Sequence, residues 1–223
     1  MTKYYSQCKQ DEILEETVFK HFQHGIYVDV GAHDGVSLNN TLYFHENNNW
    51  TGINIEPIPR VFEMLQKNRP DDVNIQCAVC DEEKECDFLM NTGSTEMLSG
   101  LYDKFDLRHR YRIAMENKQT NSNTELIKVQ TRRLDNIFKE HNITHVHLLS
   151  IDVEGAEKSV IKSIDFDKVF IDEIVFENNN TYVSIPIVQY LKDKGYHTFG
   201  ANLDIFMIHK DSQFISNLVR NTE

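Results

Sequence analysis

Short apolar runs rich in β-branched residues alternate along the chain with stretches whose apolar residues recur every three or four positions. The first pattern reads as strands, the second as helices laid against them. Strand-like runs fall at Ile26–Val30, Trp50–Ile55, Val73–Val79, Ile127–Gln130, His145–Ile151 and Ile171–Phe176, with a short return strand at Glu85–Met90. Helical spacing falls at Gln10–Gln23, Ser37–Glu46, Pro59–Asn68, Leu134–His141, through Val160 and Ile161, and at Ile185–Lys194. Strands alternating with helices predict a wound, mostly parallel α/β sheet with helices on both faces. Tyr196–Phe199 and Leu203–His209, about a turn at Gly200–Asn202, read as an antiparallel hairpin that closes it.

Two stretches depart from the alternation. The lead-in over 1–25 places Ile13, Leu14, Val18 and Phe22 on one face, with Gly25 as its expected stop, and covers either a sheet face or a ligand pocket. From 91 to 125 the pattern dissolves into Gly, Ser and Asn around the aromatic and cationic run Tyr102–Arg112, which predicts an irregular, partly helical lid.

Composition narrows the class. At 223 residues and 26.1 kDa the chain is expected to form one domain, 1–223, able to bury roughly 70% of its unfolded surface. A net charge of −12 disfavours a nucleic-acid partner and suits a small neutral or cationic ligand. No apolar run approaches the roughly 20 residues of a membrane span and no charged-then-apolar leader is recognisable, so the expectation is no membrane partner and a cytoplasmic protein. Cys77 and Cys80 form a C-x-x-C with no second pair at zinc-ribbon spacing, which fits reduced thiols better than a metal site.

Candidate chemistry gathers where strands end. Tyr27-Val28-Asp29-Val30 runs into Gly31-Ala32-His33-Asp34-Gly35, a turn whose glycines let a ligand approach bare backbone. Asn40 and Thr41 follow, placed to cap a helix or to reach a ligand. Glu56-Pro57 ends the second strand, about 20 residues beyond the turn, where a carboxylate accepts two ribose hydroxyls. Asp152-Val153-Glu154-Gly155 ends the His145–Ile151 strand. Two carboxylates so close need a purpose, such as a general base, a substrate anchor or a metal site, although Glu154 also fits a helix cap. Glu177, ahead of Asn178 and Asn179, adds a third carboxylate on the same edge. Asp152, Glu154 and Glu177 together would suit magnesium or manganese, but a metal is not the favoured reading. His33 is a structural hydrogen-bonder or a second candidate base.

Asp29-Val-Gly-Ala-His-Asp-Gly35, Asn40-Thr41, Gly52-Ile-Asn-Ile-Glu-Pro57 and above all Ile151-Asp-Val-Glu-Gly-Ala-Glu157 resemble FkbM-type methyltransferases, a branch of the class I enzymes that use S-adenosylmethionine; the likeness spans Ile26 to His209. It implies a Rossmann-like, seven-stranded, mostly parallel sheet with a C-terminal antiparallel hairpin. It further implies that Gly31, Ala32 and Gly35 back the methionine part of the cofactor and that Asp29 or Asp34 approaches its amino group or sugar. Glu56 would bind the ribose, the Ala78–Val79 backbone would meet adenine, and Asp152 would sit beside the sulfonium methyl. Ser150 stands where the family often carries Lys, and in the insert only Leu98-Ser99-Gly100-Leu101 matches, with Ser99 on the substrate side.

The expected activity is methyl transfer to a hydroxyl of a sugar, glycan or glycosylated metabolite, with Asp152 as base and Glu154, Glu177 and Ser99 toward the acceptor. The alternatives are a nicotinamide-dependent oxidoreductase, against which the turn lacks the third glycine of G-x-G-x-x-G, and an inactive cofactor-binding module. The acceptor and the oligomeric state are not legible.

Overall fold

The computed structural model describes residues 3–178, 181–201 and 203–219; Asn179 and Asn202 lie outside the described residues. Seven strands form the central sheet in the order β10-β11-β9-β8-β1-β2-β3. They are β1 (Ile26–Val30), β2 (Thr51–Ile55), β3 (Val73–Ile75), β8 (His145–Ile151), β9 (Phe170–Glu177), β10 (Tyr196–Ala201) and β11 (Asp204–His209). Strands β3-β2-β1-β8-β9 are parallel, and β11 runs antiparallel to both β9 and β10. The terminal hairpin and the wound sheet are as the sequence predicts.

One face buries Val28, Val30, Ile53, Leu149, Ile151 and Ile174 against α5 (Leu134–Glu140), α6 (Glu157–Lys162) and α7 (Thr181–Asp193). The other packs Tyr27, Leu148 and Val175 against the lead-in and α2 (Leu42–Asn48), around Phe19, Phe44 and Trp50. A short terminal helix, α8 (Ile215–Val219), which the sequence pattern does not signal, covers the same side.

Several boundaries differ from expectation for identifiable reasons. The lead-in helix, α1 (Gln10–Leu14), widens into a π-helical turn (Glu15–Phe19) and stops at Lys20, not at Gly25. Buried Glu15 holds that stop, accepting from the His21 N–H at 2.9 Å and from Asn48 Nδ2 at 2.9 Å. Gly25 instead lets the backbone lie against the Trp50 ring. Residues 37–41 stay non-helical, because Asn39 Oδ1 accepts the N–H groups of Thr41 (3.0 Å) and Leu42 (2.8 Å) and so starts α2 five residues late. Val73–Val79 divides, β3 joining the central sheet and β4 (Ala78–Val79) a second one, ordered β4-β7-β5-β6.

That second sheet carries the insert. β5 (Glu85–Asn91) pairs antiparallel with β7 (Thr124–Arg132) and with β6 (Gly100–Leu101). Between them lie a 3-10 segment (Gly93–Leu98) and α4 (Leu107–Thr120), so 91–125 is more regular than predicted. α4 buries only Ile113 among its apolar residues, which explains why its amphipathic signal is faint. Among the described residues no helix is long and apolar enough to cross a membrane.

Two constraints hold the glycine turn. The Arg69 side chain, fully buried, donates to Asp72 Oδ2 at 3.0 Å and to the Gly35 carbonyl at 3.0 Å, and also meets the Tyr27 hydroxyl. A Cβ on Gly31 (φ +90) would lie 1.8 Å from the Asp152 carbonyl oxygen. Arg69→Ala should therefore cost about 3–5 kcal/mol, since it strands the buried Asp72 carboxylate. Gly31→Ala should cost at least about 1–3 kcal/mol through strain and overpacking. Urea denaturation measures both; a change within about 0.5 kcal/mol would refute the corresponding constraint.

Candidate active site

The ends of β1, β2 and β8 meet where the sheet order changes direction, the position at which open α/β sheets bind ligands. A cavity of about 360 Å³ opens there. The Gly31 and Ala32 N–H groups donate to the Ile55 carbonyl and the Asp152 N–H to Val30, so the three strand ends are sewn together at the cavity floor. Gly31, Ala32, His33, Asn40, Glu56, Pro57, Ala78, Val79, Ser99, Asp152, Glu154 and Glu177 all contribute to its wall, as does Asp29.

Asp34, Gly35 and Thr41 are not among the lining residues and have other work. Asp34 accepts from the N–H groups of Val36 (2.9 Å) and Ser37 (2.7 Å) and from the Ser37 hydroxyl. Although burial opposes it, these bonds and the neighbouring His33 ring hold its carboxyl well below the usual range. Gly35 is required by α3 (Pro59–Asn68) and the residue after it, since a Cβ there would meet Leu65 and Arg69 at 2.7 Å. Thr41 donates to Asp29 Oδ2 at 2.9 Å, alongside Asn39 at 2.8 Å. Burial nevertheless pushes the Asp29 carboxyl up.

Glu56 is buried at the tip of β2, its Oε1 accepting from the Ile58 N–H (2.8 Å) and its Oε2 from the His33 N–H (3.2 Å). Burial pushes its carboxyl up to about 7, against the pull of those bonds. Each oxygen keeps a lone pair for a further donor. Asn40 is oriented by donating to Ser150 Oγ at 3.1 Å, and its buried Oδ1 has no partner among the described residues. Ser150 thus has a function of its own in place of a cation.

Asp152 faces the open cavity yet is walled by protein, with Glu177 hydrogen-bonded to it. Burial first, then the charges of Glu157, Asp204 and Asp29, raise the Asp152 carboxyl, and burial together with Asp152 raises Glu177. Both carboxyls are thereby displaced toward their protonated forms. Glu154 sits in the left-handed region (φ 52), with Oε2 3.3 Å from His109 Nδ1. Donor atoms of Asp152, Glu154 and Glu177 lie within 4.8 Å of one another, an oxygen set of the kind that suits a hard divalent cation. His145, His147 and Asp172, two imidazoles and a carboxylate, also lie close together at the opposite end of β8, but His147 Nδ1 already accepts from the Ile26 N–H at 2.9 Å.

His33 lies in the left-handed region (φ 50) and its ring reaches Glu96 Oε1 at 3.2 Å, while Glu96 also pairs with Arg60. The Ser99 hydroxyl is committed to backbone, donating to the Glu96 carbonyl and accepting from the Asn91 N–H. Glu96, Arg112 and Asp204 line the cavity without any local motif to announce them. The lead-in contributes Gln7, Cys8 and Gln10, the last donating to Asp204 Oδ2 at 2.6 Å, so it covers a sheet face and a pocket at once.

The methyltransferase FkbM domain matches residues 29–198. Among solved structures, a methyltransferase FkbM from Methylobacillus flagellatus KT superposes with a TM-score of 0.50 at 14% identity, over 82% of this chain and 43% of that one. This chain therefore spans less than half the length of that relative. Aeropyrum pernix fibrillarin, solved with natively bound S-adenosyl-L-methionine, gives 0.48 at 12% identity, over 91% and 73% of the two chains. No curated protein matches. With the domain match running from Asp29 at the end of β1 to Thr198 in the closing hairpin, and the sheet wound as in the class I enzymes, the chain belongs to the FkbM methyltransferase family.

Proposed function

We propose that this protein transfers a methyl group from S-adenosylmethionine to a hydroxyl oxygen of a sugar, glycan or glycosylated metabolite, with Asp152 receiving the hydroxyl proton. The observation that carries the reading is one cavity lined by two chemically distinct groups: buried Glu56, each oxygen of which accepts one backbone N–H and keeps a further lone pair, and Asp152 with Glu177. The donor set fits the cofactor. Glu56 offers acceptors to two neighbouring ribose hydroxyls, and the unpartnered Asn40 Oδ1 offers one to an ammonium. The bound cofactor supplies a methyl group on a positively charged sulfur.

The residues of this chain do the rest. Gly31 and Ala32 give a floor without bulky side chains, and Glu56 with Asn40 fixes the donor's orientation, so that the reacting atoms meet in line. The raised Asp152 carboxyl is a stronger base than an ordinary aspartate, and Glu177 holds it in place. An acidic, amide-bearing edge with Asn40 and Asn178 in the wall presents acceptors to the hydroxyls of a polyol.

Glu56→Ala should weaken S-adenosylhomocysteine binding by about 1.5–3 kcal/mol. Because ribose hydroxyls donate to the ionised form, lowering pH through the Glu56 pKa of about 7 removes the acceptor: affinity should fall about tenfold between pH 8 and pH 6, and Glu56→Gln should flatten that profile. Calorimetry reads both, and a pH-independent wild-type affinity would count against the ribose assignment. Tight NAD binding without S-adenosylhomocysteine binding would instead favour hydride transfer.

Asp152→Asn should leave S-adenosylhomocysteine affinity within a few-fold while lowering turnover by at least about 100-fold. Labelled methyl transfer to a glycan panel is the measurement; undiminished turnover would remove Asp152 from the base role.

A further inference from the structure

The two oxygens of Glu56 are held by N–H groups from separate segments, His33 in the turn after β1 at 3.2 Å and Ile58 at the head of α3 at 2.8 Å. A side chain from neither segment ties them together. Glu96, in the 3-10 segment of the insert, reaches His33 Nε2 through Oε1 at 3.2 Å and pairs through Oε2 with Arg60, two residues beyond Ile58. The contacts close a ring that runs from Glu56 through His33, Glu96 and Arg60, then back along the chain to Ile58.

Each member of the ring depends on the next. His33 keeps its left-handed backbone, a conformation that a residue with a Cβ holds only where its surroundings enforce it, and the aim of its N–H toward Glu56 follows from that φ. Its ring is enclosed by carboxylates, with Nδ1 3.6 Å from Asp34 Oδ1 and Nε2 on Glu96. Glu96 is fixed in turn by Ser99, whose N–H and hydroxyl donate to the Glu96 carbonyl at 3.2 Å and 2.5 Å. His33, Glu56, Ile58 and Glu96 all line the cavity, while Arg60 closes the ring from the solvent side.

We propose that Glu96 is a positioning residue for the methyl donor: by bridging His33 and Arg60 it sets the two N–H groups that aim the Glu56 carboxyl at the ribose. His33 then acts through its main-chain N–H, and its ring serves Glu96 and not the acceptor. The insert thus contributes to donor binding without supplying a donor contact of its own. That Glu56 takes the ribose rests on the reading above; that Glu96 governs Glu56 does not.

The test is a double-mutant cycle on the full chain, with S-adenosylhomocysteine affinity read by calorimetry in the wild type, Glu56→Ala, Glu96→Ala and the double variant. Glu96→Ala should weaken binding about tenfold when Glu56 is present and less than about twofold when it is not. Glu96→Gln, which keeps an acceptor for His33 and loses the charge facing Arg60, should fall between. Hydrogen exchange without ligand reads the brace directly: in Glu96→Ala the His33 amide should exchange at least about tenfold faster while the β8 amides keep their protection. If β8 loses protection as well, Glu96→Gln carries both measurements. Losses that add in the double variant make Glu96 a direct ligand contact and overturn the proposal, as does unchanged exchange at His33. Wild-type affinity in Glu56→Ala overturns the ribose reading alone, because the exchange result still decides whether Glu96 governs the N–H that holds Glu56.

Discussion

The carbonyl oxygen of Asp152 occupies the space that any side chain on residue 31 would need, and this close approach of two strand ends governs the upper edge of the sheet. With no Cβ in the way, β1 and β8 stay paired through Ile151, and the Asp152 N–H still reaches the Val30 carbonyl. The turn after β1 then folds across to β2, where the Ile55 carbonyl receives two N–H groups. The backbones of Glu56 and Asp152 are thereby fixed on either side of β1, in the wall of one cavity. Side-chain bonds then set the carboxyls, the His33 and Ile58 N–H groups at Glu56 and the Glu177 carboxyl at Asp152.

A second tension is electrostatic. Asp29, Glu56, Asp152, Glu157 and Glu177 all have carboxyls raised by burial, and at Asp152 and Glu177 neighbouring carboxylates add to it. Cations come from elsewhere, Arg112 from α4 in the insert and Arg60 from the first turn of α3. Glu96, tied to both Arg60 and His33, fastens the insert to the glycine turn across the mouth of the cavity. Burial that would be costly in an empty protein is suited to a site whose ligands bring their own donors.

The parts of the site legible in the sequence are those specified locally. A strand emptying into glycines, a carboxylate at the tip of the next strand, and Asp152-Val153-Glu154-Gly155 before a helix carry their signal within a few residues, and the cavity gathers all three. What stayed hidden depends on partners remote in sequence. Residues 37–41 have helical spacing, yet the Asp34 and Asn39 side chains outcompete helical hydrogen bonds there. The lead-in helix ends where Asn48, 33 residues away, takes a carboxylate oxygen of Glu15. Glu96 and Arg112 reach the cavity only because the second sheet turns their segment back over it, and no spacing rule reports that. Gly35 reads as a ligand-facing glycine by pattern, but the space it leaves is filled by Arg69 and Leu65.

The second sheet divides the molecule's labour along the chain as well as in space. β4, β5, β6 and β7 leave the central sheet after β3 and return before β8, and the stretch between Asp81 and Leu134 is built on the antiparallel β5–β7 pairing, anchored through the parallel β4–β7 pair. The strand ends that form the cavity floor lie outside that excursion, while Glu96, Ser99 and Arg112, which also line the cavity, lie within it. Changes in the segment between β5 and β7 can therefore reshape that part of the cavity wall without disturbing the β1, β2 and β8 ends. The upper wall of the cavity is thus an exchangeable cassette set on a floor that the central sheet fixes independently.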